Sequence, residues 1–148
     1  MKESCAGGGP IVIVHSLDHA LAAVQAAGAL GTALTLMSAP GAAAGAGAPW
    51  FREVARQAAA AAPAVEVTAV IDCGDQPGLV LAALRDGAKR LRFSGRKSVA
   101  EKLAAIAKQQ QAVLLTGRLE ALDLLDHPDP KTACRDWFAR RLLKDSSP

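Results

Sequence analysis

Five consecutive residues, Ser94-Gly95-Arg96-Lys97-Ser98, gather two hydroxyls, two cations and a glycine backbone into one short stretch. Set between a strand and a helix, such a turn adds side-chain donors to the free N–H groups of a helix start, an arrangement that suits phosphate or carboxylate. It can equally be a helix cap flanked by two surface cations. The Gly-x-x-x-x-Gly-Lys-Ser/Thr spacing of a Walker loop is absent.

A second cluster, Asp72-Cys73-Gly74-Asp75, supplies carboxylates. Combined with the imidazole of His15, either Asp72 or Asp75 could transfer protons. The structural alternative has Asp75 capping the next helix and Asp72 pairing with Arg92 or Arg118. Acids beside Cys73 disfavour its thiolate, so a buried, inert sulfur is expected there. His15 and His19 have the separation of helical metal ligands, but His15 precedes its helix and no glutamate lies between them, so no metal site is expected. His127, beside Pro128, belongs to no pattern.

Ser38 opens a third segment, rich in glycine and alanine, that runs to Pro49. It is too poor in charge for a simple solvated linker and suits a loop folded over a pocket, with Ser38 on its rim. Gly45-Ala46-Gly47 lacks the third glycine of a dinucleotide turn.

Positioning these residues requires a scaffold. Ile11-Val12-Ile13-Val14 is a β-branched, continuously apolar run, the pattern of a strand covered on both faces. Ser16 can cap the helix that follows, which ends near Gly28 and Gly31. Further strands are expected over Ala33 to Met37, Val65 to Ile71, Lys89 to Ser94 and Ala112 to Thr116. Helices are expected over Pro49 to Ala62, Pro77 to Asp86 and Lys97 to Gln110. Two helical segments close the chain, Leu119 to Leu125 and Lys131 to Lys144, the latter entered through Asp129-Pro130.

Repeated strand–helix units predict an α/β fold: a three-layer, doubly wound, flavodoxin-like sheet of about five mainly parallel strands. Residues 1–9 read as a disordered tail and residues 10–148 as one domain. A closed eight-stranded barrel needs roughly 200 residues or more, and the chain has 148, so half a barrel completed by a second copy is the alternative. Ile11 to Val14 and Val65 to Ile71, the most β-branched runs, are expected as neighbouring central strands. Arg90, Arg92 and Ser94 alternate with Leu91 and Phe93, which suggests an edge or partly uncovered strand, either guarded by charge or offering a basic face to a ligand or subunit.

Ligands of open parallel sheets bind beyond the carboxyl ends of the strands. His15, Ser38, Asp72, Asp75 and Ser94 to Ser98 therefore form the expected rim. The formal net charge of +3 would help to attract an anionic metabolite. Aromatic residues make up only 3% of the chain and tyrosine is missing, which removes the stacking platforms of single-strand nucleic-acid binders. Three dispersed cysteines, Cys5, Cys73 and Cys134, fit a reducing cytoplasm better than a disulfide scaffold. No signal peptide or membrane span is expected, and no cofactor is specified.

Three functions follow from this reading. The first is binding of a small anionic metabolite, the second is acid/base catalysis by His15 with Asp72 or Asp75, and the third is homo-oligomeric assembly. For the third, Cys134, Phe138 and Leu142 make an apolar stripe on the last helix, which can dock on its own domain or on a second copy.

Overall fold

The computed structural model describes residues 9–44 and 47–146. Of the tail expected over residues 1–9 only Gly9 lies among them, and Gly45-Ala46 falls outside. The run Ile11–Val14 forms strand β1, with Ile11, Val12 and Val14 buried. Ser16 then caps helix α1, Leu17–Leu30, its Oγ accepting the His19 N–H at 3.1 Å. Gly31 closes that helix at φ 65°, a left-handed conformation that costs glycine no Cβ clash.

The chain continues through β2 (Leu34–Ser38), a helical turn (Ala42–Ala44), α2 (Gly47–Ala61) and β3 (Val67–Asp72). It proceeds through α3 (Pro77–Arg85), β4 (Arg90–Arg92), α4 (Lys97–Gln109) and β5 (Val113–Leu115). It ends with β6 (Ala121–Asp123) and α5 (Pro130–Ser146). The six strands form one sheet in the order β5-β4-β3-β2-β1-β6. The chain thus has the α/β fold with a parallel sheet that its alternation of strand and helix predicts.

Three local expectations are corrected. Residues 119–125 do not form a helix, because Ala121–Asp123 extends along β1 in parallel register, Ile11 opposite Ala121 and Ile13 opposite Asp123. β4 is an interior strand rather than an edge, since β3 pairs with one side and β5 with the other. β1 and β3 are both interior, but β2 lies between them, so they are not neighbours. In each case the long-range hydrogen-bond partner, which local composition does not encode, decides the outcome.

The chain divides into two compact units. One comprises the chain up to Leu36, Val54–Thr68 and the segment from Glu120 onward. Its core is built on α1, where Ala20, Ala23, Val24 and Ala27 are buried and α5 packs alongside. The small alanines let the helix backbones approach closely, while Cys134 and Phe138 of α5 are wholly buried. α5 begins as expected beyond Asp129, whose carboxylate accepts the Thr132 N–H at 3.3 Å and the Thr132 hydroxyl at 2.7 Å.

The other unit comprises Met37–Glu53 and Ala69–Leu119. Its core holds Ile71, Leu91, Phe93, Leu103 and Leu115, with α3 packed against α4. Among the described residues, no helix is long and apolar enough to cross a membrane.

Candidate functional site

The second unit holds all but one of the expected rim residues. Asp72 ends β3 and is buried. Its Oδ1 accepts the N–H of Gly74 at 2.7 Å and of Gly41 at 3.3 Å, while its own N–H donates to Ser38 Oγ at 2.8 Å. Ser38 and Asp72 are therefore brought together as structural partners at the ends of β2 and β3. Neither Arg92 nor Arg118 pairs with Asp72 among the described residues, because backbone donors take the carboxylate instead. Burial first, and the neighbouring Asp72 second, push the Cys73 thiol up to about 11. The sulfur is buried and its thiolate is disfavoured.

Asp75, Gly95 and Arg96 meet in a cleft of about 300 Å³, completed by Pro77, Phe93 and Val99. Two helices start at this cleft. α3 follows Gln76 and α4 follows Arg96, and neither helix has a side-chain cap. Asp75 does not cap α3 as its spacing suggests: the helix begins one residue too late, with Gln76 in the cap position and Pro77 in the first turn. Gly95 is fitted closely, since a Cβ there would lie 2.4 Å from Phe93 Cζ.

Ser94, Lys97 and Ser98 are exposed, but they do not line this cleft. The Ser94 N–H is instead committed to the Gly74 carbonyl at 2.8 Å, tying the turn after β4 to the turn after β3. Of the two expected cations, Arg96 alone lines the cleft.

His15 belongs to the other unit, where it follows β1. Its Nε2 lies 2.7 Å from Asp123 Oδ1, which also accepts the Leu125 N–H at 2.9 Å. Asp123 is the residue that sequence reasoning misses, because the spacing of its neighbours reads as a helix. The His15 N–H donates to His19 Nδ1 at 3.1 Å, and the two rings meet edge to face at 5.8 Å. Partial burial, then the charge of His15, lower the His19 pKa, so its neutral form is favoured. Among the described residues, no group of three or more metal-ligating side chains is assembled.

No family model and no curated protein matches this chain. Among solved structures it is similar to a candidate fructose-1,6-biphosphate aldolase from Coccidioides immitis, with a TM-score of 0.61 and 22% sequence identity. The likeness covers 79% of this chain and 44% of that one, so the chain spans less than half of that protein's length. At this identity the likeness shows a shared fold.

Proposed function

We propose that this chain binds a small anionic metabolite at the cleft between the starts of α3 and α4. One observation carries the reading: two helices without side-chain caps begin at a single cleft that Arg96 also lines. Unsatisfied N–H groups at a helix start, the positive end of the helix dipole and a guanidinium favour the same ligand charge. Asp75 opposes them from within the cleft, so a ligand that also carries a hydrogen-bond donor fits better than a bare anion. The bisphosphate for which the similar aldolase is named is consistent with such a ligand. Free, buried Cys73 and Cys134 accord with a reducing, cytoplasmic setting.

The test is the melting temperature in phosphate or sulfate at constant ionic strength. A ligand that binds only the folded state stabilises it by mass action, so the temperature should rise. Arg96→Ala should weaken the response, whereas Lys131→Ala, an equal change of charge outside the cleft, should not. Equal weakening by both would reduce the effect to diffuse electrostatics.

A second reading, acid/base catalysis, is favoured by the short contact between His15 and Asp123. The carboxylate orients the imidazole by accepting Nε2–H, which leaves Nδ1 as the base. In this reading Asp123 takes the role that the spacing assigns to Asp72 or Asp75.

A further inference from the structure

β4 carries a second feature, on the opposite side from the cleft. Leu91 and Phe93 are buried on one face of the strand, with Phe93 reaching the cleft between α3 and α4. Side chains alternate along a strand, so Arg92 points the other way. Register places it directly beside Asp72 on β3 and Leu115 on β5, and in-register neighbours of a parallel pair share a face.

Arg92 Nη1 is shut off from solvent and has no hydrogen-bond partner among the described residues. A buried donor without an acceptor loses its hydration and regains nothing, and the loss is greater for a cationic group than for a neutral one. Trp137 Nε1 is likewise buried without a partner among the described residues, but it is a neutral donor flanked by the guanidiniums of Arg140 and Arg141. Arg92 is charged, and the carboxylate beside it is not its partner: Asp72 Oδ1 is held by Gly41 and Gly74, and no ion pair joins Asp72 to Arg92 among the described residues.

We propose that Arg92 and Asp72 form a subsite for a small hydroxylated anion, a hydroxy acid or a polyol phosphate. The guanidinium fork takes the carboxylate or phosphate, since its geometry matches either in a two-pronged contact. Asp72 Oδ2, which makes no hydrogen bond among the described residues, accepts the ligand's hydroxyl. The pair lies at the carboxyl ends of adjacent parallel strands, the position at which open α/β sheets bind ligands. This subsite is independent of the cleft at Arg96, because the two lie on opposite faces of β4.

The experiment is titration calorimetry with four probes: glycerate and glycerol 3-phosphate, and their hydroxyl-free counterparts propionate and propyl phosphate. At least one hydroxylated probe should bind, about tenfold or more tightly than its counterpart, the usual worth of a hydrogen bond to a charged group. Preference for glycerate would identify a hydroxy acid, and preference for glycerol 3-phosphate a polyol phosphate. Because the cleft at Arg96 can also take these anions, the variants are read in an Arg96→Ala background. There Arg92→Met should abolish the remaining binding of the hydroxylated probe, and Asp72→Asn should erase the preference for the hydroxyl.

Should Arg92→Met fail to fold, the guanidinium nitrogen resonances of wild-type Arg92, followed by NMR during the same titration, supply the readout and should shift. In the Arg96→Ala background, absence of binding by both hydroxylated probes, binding that survives Arg92→Met, or an unmoved Arg92 signal would overturn the proposal. A phosphate response left unchanged by Arg96→Ala, with binding of the hydroxylated probe lost on Arg92→Met, would remove the cleft reading and leave this one standing.

Discussion

His15 Nε2 and Asp123 Oδ1 lie 2.7 Å apart across the ends of two adjacent parallel strands. Partial burial acts to raise the Asp123 carboxyl, but the Leu125 N–H and the His15 ring outweigh it and hold the group below its ordinary range. A carboxyl with a lowered folded pKa stabilises the fold above its unfolded value of about 3.9, and that contribution is lost as pH falls through the folded value. Asp123→Asn should therefore cost less than about 1 kcal/mol near neutrality, because the pair is substantially exposed. The difference from wild type should shrink in acid. Urea unfolding of both proteins at neutral and at acidic pH measures it, and a deficit that persists unchanged would show that the carboxylate's charge is not what stabilises.

Gly95→Ala should damage the fold and the cleft together. The new methyl would press on the ring of Phe93, a residue 1% exposed, and the ring must shift to admit it. Overpacking of this kind costs about 1–3 kcal/mol. Gly78→Ala is the control, since nothing lies within 4 Å of a Cβ there. In helix α3 that change should stabilise by up to about 1 kcal/mol. Thermal unfolding of the pair, with and without phosphate, should show a lowered midpoint and a weakened phosphate response for Gly95→Ala alone.

Both described thiols should resist alkylation in the native state. Burial pushes Cys134 up to about 12, and burial together with Asp72 pushes Cys73 up to about 11. Near pH 8 the thiolate fraction of Cys73 is then on the order of one part in a thousand, and the thiolate is the reactive form. Iodoacetamide labelling followed by peptide mapping should find Cys73 and Cys134 modified in denaturant and almost untouched without it. Equal labelling under both conditions would contradict their burial.

The parts of the fold legible in the sequence are those decided locally. Ser16 before an apolar helix, Gly31 after it and the β-branched Ile11 to Val14 each specify their own conformation. The Ala121–Asp123 strand is not legible, because Leu119, Leu122 and Leu125 recur at helical spacing, whereas the pairing that makes the segment a strand comes from β1. Asp123 escapes sequence reasoning for the same cause. Arg90 and Arg92 reveal a polar face on β4 without revealing that β5 covers the strand's far side. In the candidate site, Asp75, Gly95 and Arg96 share a cleft as their positions at strand ends suggest, while Lys97 and Ser98 turn elsewhere on α4.

The carboxylate of Asp72 also bears on how its surroundings move. Gly41, after β2, and Gly74, after β3, give their amide hydrogens to the same oxygen, and a Cβ on Gly74 would stand 3.7 Å from Gly41 Cα. Two loops distant in sequence thus share one acceptor, and a movement of the Asp72 carboxylate releases both amides at once. The two glycine amides should consequently exchange with deuterium at rates that rise and fall together.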